Sequence, residues 1–172
     1  MGNIIVAGVS GSGKTSVALA LAEKLDADFL DADDLHSQQA IQRMTSGIGL
    51  TDKERWPWLH RLGDKLATGK HRSTVCACSA LKANYRELLR QYDSQLSFVY
   101  LNPDKQILAE RVANRKHFMP KTLLASQLEE FELPNRSDAI IVKNEKSIEA
   151  TVDQIISFLA GSSNDQNSSP KR

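Results

Sequence analysis

The chain has 172 residues, enough for one domain with a full hydrophobic core. Hydrophobic residues make up 41% and charged residues 25%, and 22 Lys+Arg against 21 Asp+Glu leave a net charge of +1. That balance excludes a strongly basic nucleic-acid binder, and the absence of any apolar run near the ~18 residues of a membrane helix argues for a cytoplasmic protein without membrane partners.

Ile4–Ala7 is a short β-branched run that ends in the cluster Gly8-Val9-Ser10-Gly11-Ser12-Gly13. Lys14–Leu25 reads as a helix, with Val17, Ala18, Leu21 and Leu25 on one face. Ala27–Leu30 is a second strand, stopped by Asp31-Ala32-Asp33-Asp34, and a polar helix follows to Ser46. Thr51 or Asp52 can cap a helix to about Thr68, in which Pro57 predicts a kink or a late start. Ser73–Ala77 is a third strand and Lys82–Tyr92 a helix; Ser97–Leu101 is a fourth strand, followed by a helix over Asp104–Arg115. Pro120 opens another helix, Ala139–Val142 is a fifth strand, and Ser147–Leu159 is a final amphipathic helix. Gly161–Arg172 is polar and Ser/Asn-rich, so residues 161–172 are expected to be a disordered tail behind a single domain over 1–160. Cys76 and Cys78 lie one residue apart in this strand, are poorly placed to bridge each other and are expected to be core thiols.

Strands alternating with helices imply an α/β fold: a five-stranded parallel sheet with helices on both faces, in three layers. Ligands in such sheets bind at the carboxyl ends of the strands. The first of those ends carries Gly8-Val9-Ser10-Gly11-Ser12-Gly13-Lys14-Thr15, which fits G-x-x-x-x-G-K-[ST] in full. Glycines let the backbone curl so that successive N–H groups point at phosphate oxygens, and the following helix adds its N-terminal partial charge. Gly8, Ser10, Gly11, Ser12, Gly13, Lys14, Thr15 and Ser16 are therefore the candidate ATP-binding residues. Lys14 would reach the β/γ oxygens, and the Thr15 hydroxyl would ligate Mg²⁺.

The third strand ends in no carboxylate, unlike a motor ATPase, and no Asn-Lys-x-Asp base reader marks a GTPase. Acidic residues leave the second strand instead. Asp31 can hold Mg²⁺ through water, while Asp33 can orient an acceptor hydroxyl and take its proton. Capping of the next helix by Asp33 or Asp34 is the plainer alternative, and it fits Asp34 best. Small-metabolite kinases remain, and two basic clusters suit them: Lys82…Tyr85-Arg86, and Arg111, Arg115, Lys116, His117 and Lys121.

The segments Asp31-Ala32-Asp33-Asp34-Leu35-His36, Arg55-x-Pro57-Trp58-Leu59, Ser79-Ala80-Leu81-Lys82-x-x-Tyr85-Arg86, His117-Phe118-Met119-Pro120 and Ser126-Gln127 go past a generic phosphate-loop protein. With them the chain resembles the gluconokinase family, relatives of shikimate kinase. The resemblance implies phosphorylation of D-gluconate by ATP at the 6-hydroxyl. It also implies a P-loop NTPase fold with a small mobile lid, here about 112–125, often as a homodimer. The family has a glycine before the lid histidine where this chain has Lys116, and a proline where Gly49 stands. A kinase for shikimate or another sugar acid, and a non-catalytic ATP-binding sensor, are the competing readings.

A sugar-acid acceptor needs cations for its carboxylate and polar groups for its hydroxyls. Arg55, Lys82 and Arg86 are the candidates for the anionic end; Asp33, His36, His117 and Gln127 complete the substrate set. In the implied fold Arg111 and Arg115 stand at the lid's root over ATP, one against adenine and one bracing the transferred phosphate. Lys14, Asp33 and Arg115 are the expected catalytic residues. Trp56, Trp58 and Tyr85 are expected to pack, and four scattered histidines give no zinc spacing.

Overall fold

The structure, a computed structural model, describes residues 2–69, 72–114 and 121–165. Five strands form one parallel sheet: β1 (Ile4–Ala7), β2 (Asp28–Asp31), β3 (Thr74–Cys78), β4 (Ser97–Leu101) and β5 (Ile140–Val142). Their order across the sheet is β2-β3-β1-β4-β5. The helices between and after them are α1 (Lys14–Lys24), α2 (Gln38–Thr45), α3 (Asp52–Thr68), α4 (Ala83–Tyr92), α5 (Lys105–Asn114), α6 (Lys121–Glu130) and α7 (Ile148–Asp165). Strand β1 lies at the centre of the sheet, so the loop after it opens in the middle of the carboxyl edge.

The period-2 alternation of the central strands sorts their side chains into two cores. Ile5, Ala7, Cys76, Cys78, Phe98 and Tyr100 pack with α3 and α4 residues such as Leu59, Leu62 and Leu89. Ile4, Val6, Val75, Ala77, Val99 and Leu101 face the other way, onto α1 and α7 through Leu21 and Ile155. Strands buried on both faces read as near-continuous apolar runs, as β1 does throughout and β3 does after Thr74.

Three local features depart from expectation. Helix α3 runs through Pro57 from Asp52 without a break. Proline there withholds its hydrogen bond only from the Lys53 carbonyl, and both residues lie on the solvent side. The polar helix expected after Asp34 is split: a 3₁₀ turn over Ala32–Leu35 precedes α2, whose cap is Ser37 accepting from the Ala40 N–H at 3.2 Å. Neither Asp33 nor Asp34 caps it. Helix α7 extends to Asp165, beyond the end expected near Leu159 and into the predicted tail. Among the described residues, no helix is long and apolar enough to cross a membrane.

Candidate active site

The loop between β1 and α1 curls through positive φ at Gly8 (146°), Gly11 (83°) and Gly13 (96°). A Cβ at Gly8 would stand 2.7 Å from the Leu101 carbonyl oxygen, so only glycine lets the loop pass β4. Lys14 Nζ donates to the Val9 carbonyl at 3.1 Å, which folds the lysine back over its own loop. The Ser12 carbonyl is held from outside the loop by Asn144 Nδ2 at 2.7 Å and Arg111 Nη1 at 3.4 Å.

Strand β2 brings its acidic end beside the start of α1. Thr15 Oγ1 donates to Asp31 Oδ2 at 3.2 Å, while Asp31 Oδ1 accepts from the Asp33 N–H at 3.1 Å and caps the 3₁₀ turn. The two carboxylate oxygens thus divide the work: one shapes the turn, the other faces the phosphate loop. This oxygen pair fits Mg²⁺, a hard cation that keeps several waters and takes its other ligands from phosphate. Among the described residues no cluster of three or more His, Cys, Asp or Glu forms an all-protein cage.

A cavity of about 600 Å³ opens along this edge. Lys14, Thr15, Asp31 and Asp33 line it together with His36, Arg55, Trp58 and Gln127, among others. The Asp33 side chain is more than half exposed, with Oδ1 3.8 Å from His36 Nε2. His36 stacks on Trp58, with ring centroids 4.4 Å apart and planes 13° from parallel. Trp58 Nε1 donates to the Ala32 carbonyl at 2.6 Å, so the indole both packs and fixes the acidic turn. Burial, with the nearby charges of Arg61 and Arg55, pushes the His36 imidazole down to about 4.

The basic residues separate into different roles. Arg55, buried in α3, pairs through both terminal nitrogens with the Glu130 carboxylate and donates to Tyr85 Oη at 3.0 Å. Lys82 bonds Asp52 at 2.7 Å, and Tyr85 Oη donates to the same carboxylate oxygen. These bonds from Lys82, and then Tyr85, hold the Asp52 carboxyl below its ordinary range. Tyr85 and Trp58 were expected only to pack; both carry polar contacts at the site.

Arg86 is not brought to the cavity. It is 4% exposed and spends Nη1 on the carbonyls of Ala80, Leu81 and Glu132, at 3.2–3.3 Å. Ala80 has φ 39°, an unfavourable conformation for a residue with a Cβ, and the guanidinium braces that turn after β3. Gln127 lines the cavity, but its Oε1 accepts from the Ser10 N–H at 2.7 Å, which sets it against the phosphate loop. Arg115 and His117, and the lid residues 115–120, lie outside the described residues.

On the other side of the loop a second cavity of about 490 Å³ is lined by Gly13, Arg111, Asn144, Lys146 and Ile148, among others. Arg111 Nη2 donates to the Asn144 carbonyl at 2.8 Å. Arg111 therefore stands beside the phosphate loop, lining this second cavity and not the first. Glu130 was not predicted. Glu130 lies three residues after Gln127, and this helical spacing was the one signal available.

The family model described as "AAA domain" matches residues 4–134. The thermosensitive gluconokinase of Escherichia coli strain K12 is 40% identical over 144 residues, 82% of this chain and 77% of that protein. The thermoresistant gluconokinase of the same organism is 38% identical, covering 90% of this chain and 91% of its own length. The crystal structure of a gluconokinase from Sinorhizobium meliloti 1021 superposes with a TM-score of 0.87 at 40% identity, covering 96% of this chain and 95% of that one. With its phosphate loop, acidic pair and parallel sheet in place, the chain belongs to the gluconokinase family of P-loop kinases.

Proposed function

We propose that this protein transfers the γ-phosphoryl group of ATP to the 6-hydroxyl of D-gluconate, giving 6-phospho-D-gluconate and ADP. The observation that carries this is one cavity holding both halves of the reaction, the phosphate loop with Lys14 and the Asp31–Asp33 edge, with Arg55 and His36 further in. Family membership supports the choice of gluconate over other hydroxy acids.

The loop N–H groups and Lys14 bind the phosphates, Lys14 exchanging the Val9 carbonyl for β/γ oxygens. Mg²⁺, held by Thr15 Oγ1 and through water by Asp31, would neutralise charge on those oxygens when bound. Asp33 accepts the proton of the 6-hydroxyl as its oxygen bonds to the γ-phosphorus and the bond to the β–γ bridging oxygen breaks. Arg55 offers a fork for the acceptor carboxylate, and His36 offers a neutral ring nitrogen to a hydroxyl. A cytoplasmic setting and a homodimer come with this reading through the family resemblance.

The test is ADP release from Mg·ATP with D-gluconate, against shikimate and no-acceptor controls, with the product identified. Asp33→Asn is expected to lower kcat by roughly 10²–10⁴-fold with ATP affinity unchanged. Full turnover in that variant would remove Asp33 as the base. ATP binding without gluconate-dependent ADP release would remove gluconate as the acceptor.

A further inference from the structure

Asn144 is a buried polar residue in the loop between β5 and α7, 6% exposed, at φ 49°. Asparagine tolerates that left-handed conformation better than most residues. It does not cap α7; Ser147 does, accepting from the Ala150 N–H at 3.2 Å. Its side chain is committed elsewhere. Nδ2 donates to the Ser12 carbonyl at 2.7 Å, and Oδ1 accepts from Thr151 Oγ1 at 3.1 Å, with Thr151 itself 1% exposed. A flipped amide would set its oxygen against the Ser12 oxygen at that same short distance, so the orientation is determined.

The Ser12–Gly13 peptide is planar and trans, and its C=O and N–H point in opposite directions. Asn144, with Arg111 beside it, draws the Ser12 oxygen outward. The Gly13 N–H therefore turns to the other side, into the hollow of the phosphate loop. The contact leaves no slack, because a Cβ at Gly13 would lie 2.6 Å from Asn144 Nδ2. We propose, resting on ATP as the donor, that Asn144 is a positioning residue that aims the Gly13 N–H at the nucleotide phosphates, with Thr151 holding its amide in place. Asn144 touches no reacting atom in this role; it acts through Ser12.

The test uses Asn144→Gly, which keeps the positive φ without strain and removes only the amide. Thr151→Val leaves Asn144 present but takes away the hydroxyl that Oδ1 shares with the Ser147 carbonyl, 3.0 Å from Oγ1. For each, the readouts are ATP affinity by calorimetry without acceptor, KM for ATP and for gluconate, kcat, and the unliganded melting temperature. Asn144→Gly is expected to weaken ATP binding about tenfold and to lower kcat, with KM for gluconate within about twofold of wild type. Thr151→Val is expected to move the same quantities less. A lowered melting temperature with unchanged ATP affinity would overturn the proposal, leaving Asn144 a structural role only. Equal losses toward both substrates would overturn it as well. Should the wild type show no gluconate-dependent turnover, the acceptor assignment fails by itself, and the ATP affinities still decide the role of Asn144.

Discussion

His36 shows how far one side chain's chemistry depends on neighbours distant in sequence. The sequence places it after the acidic pair and leaves it either a substrate ligand or a packing residue. Its neutrality comes from Trp58, which stacks on it, and from Arg55 and Arg61, whose charges oppose protonation; Asp31 pulls weakly the other way. The depressed value near 4 has a definite thermodynamic sign. Between its ordinary value of 6.5 and about 4 the unfolded chain binds a proton that the folded chain refuses. Stability is thus lost as pH falls through that window and levels off below it. His36→Phe keeps the stack on Trp58 and removes the titration. The stability advantage of wild type over this variant is expected to be constant above pH 6.5 and to shrink toward pH 4. Parallel melting curves across that range would mean that the ring is solvated.

At the scale of the element, α3 combines features that sequence rules rank as weak. The Glu54 carboxylate accepts from both the Thr51 N–H and its hydroxyl, which secures the first turn before Pro57 interrupts the ladder. Further along, Gly63 lies against α4 so closely that a Cβ would stand 2.3 Å from a ring carbon of Tyr92. Helix propensity alone favours alanine over glycine there by about 1 kcal/mol. Overpacking against a fixed ring costs about 1–3 kcal/mol, so Gly63→Ala is expected to lower the melting temperature. A rise would show that Tyr92 yields freely. Local patterns made α3, the strands and the phosphate loop legible, because β-branched runs, glycine spacing and caps act over a few residues. Arg86 was read as a substrate ligand because its targets, the carbonyls near Ala80, meet it only after folding. Glu130 was missed for the same reason, since its partner Arg55 lies 75 positions away.

For the whole molecule, the two-sided core and the strand order hold the phosphate loop and the acidic turn at one edge. Apolar runs buried on both faces announce a parallel sheet, so the architecture was readable in advance. The ion pairs near the acceptor end have a further consequence. Arg55 and Lys82 are matched by Glu130 and Asp52, two positive and two negative groups drawn from α3, α6 and the residue before α4. A self-neutralised group of this kind casts little field into solvent, and a net charge of +1 adds little more. On the proposed function, an anionic acceptor would therefore arrive by unsteered diffusion and be selected after encounter, its carboxylate trading places with Glu130 on Arg55. Its association rate is expected to change less than about threefold between about 0.02 and 0.2 M salt in stopped-flow measurements, where a steered site would fall much more steeply. Recognition by exchange of partners at contact would place discrimination among hydroxy acids in how long each stays.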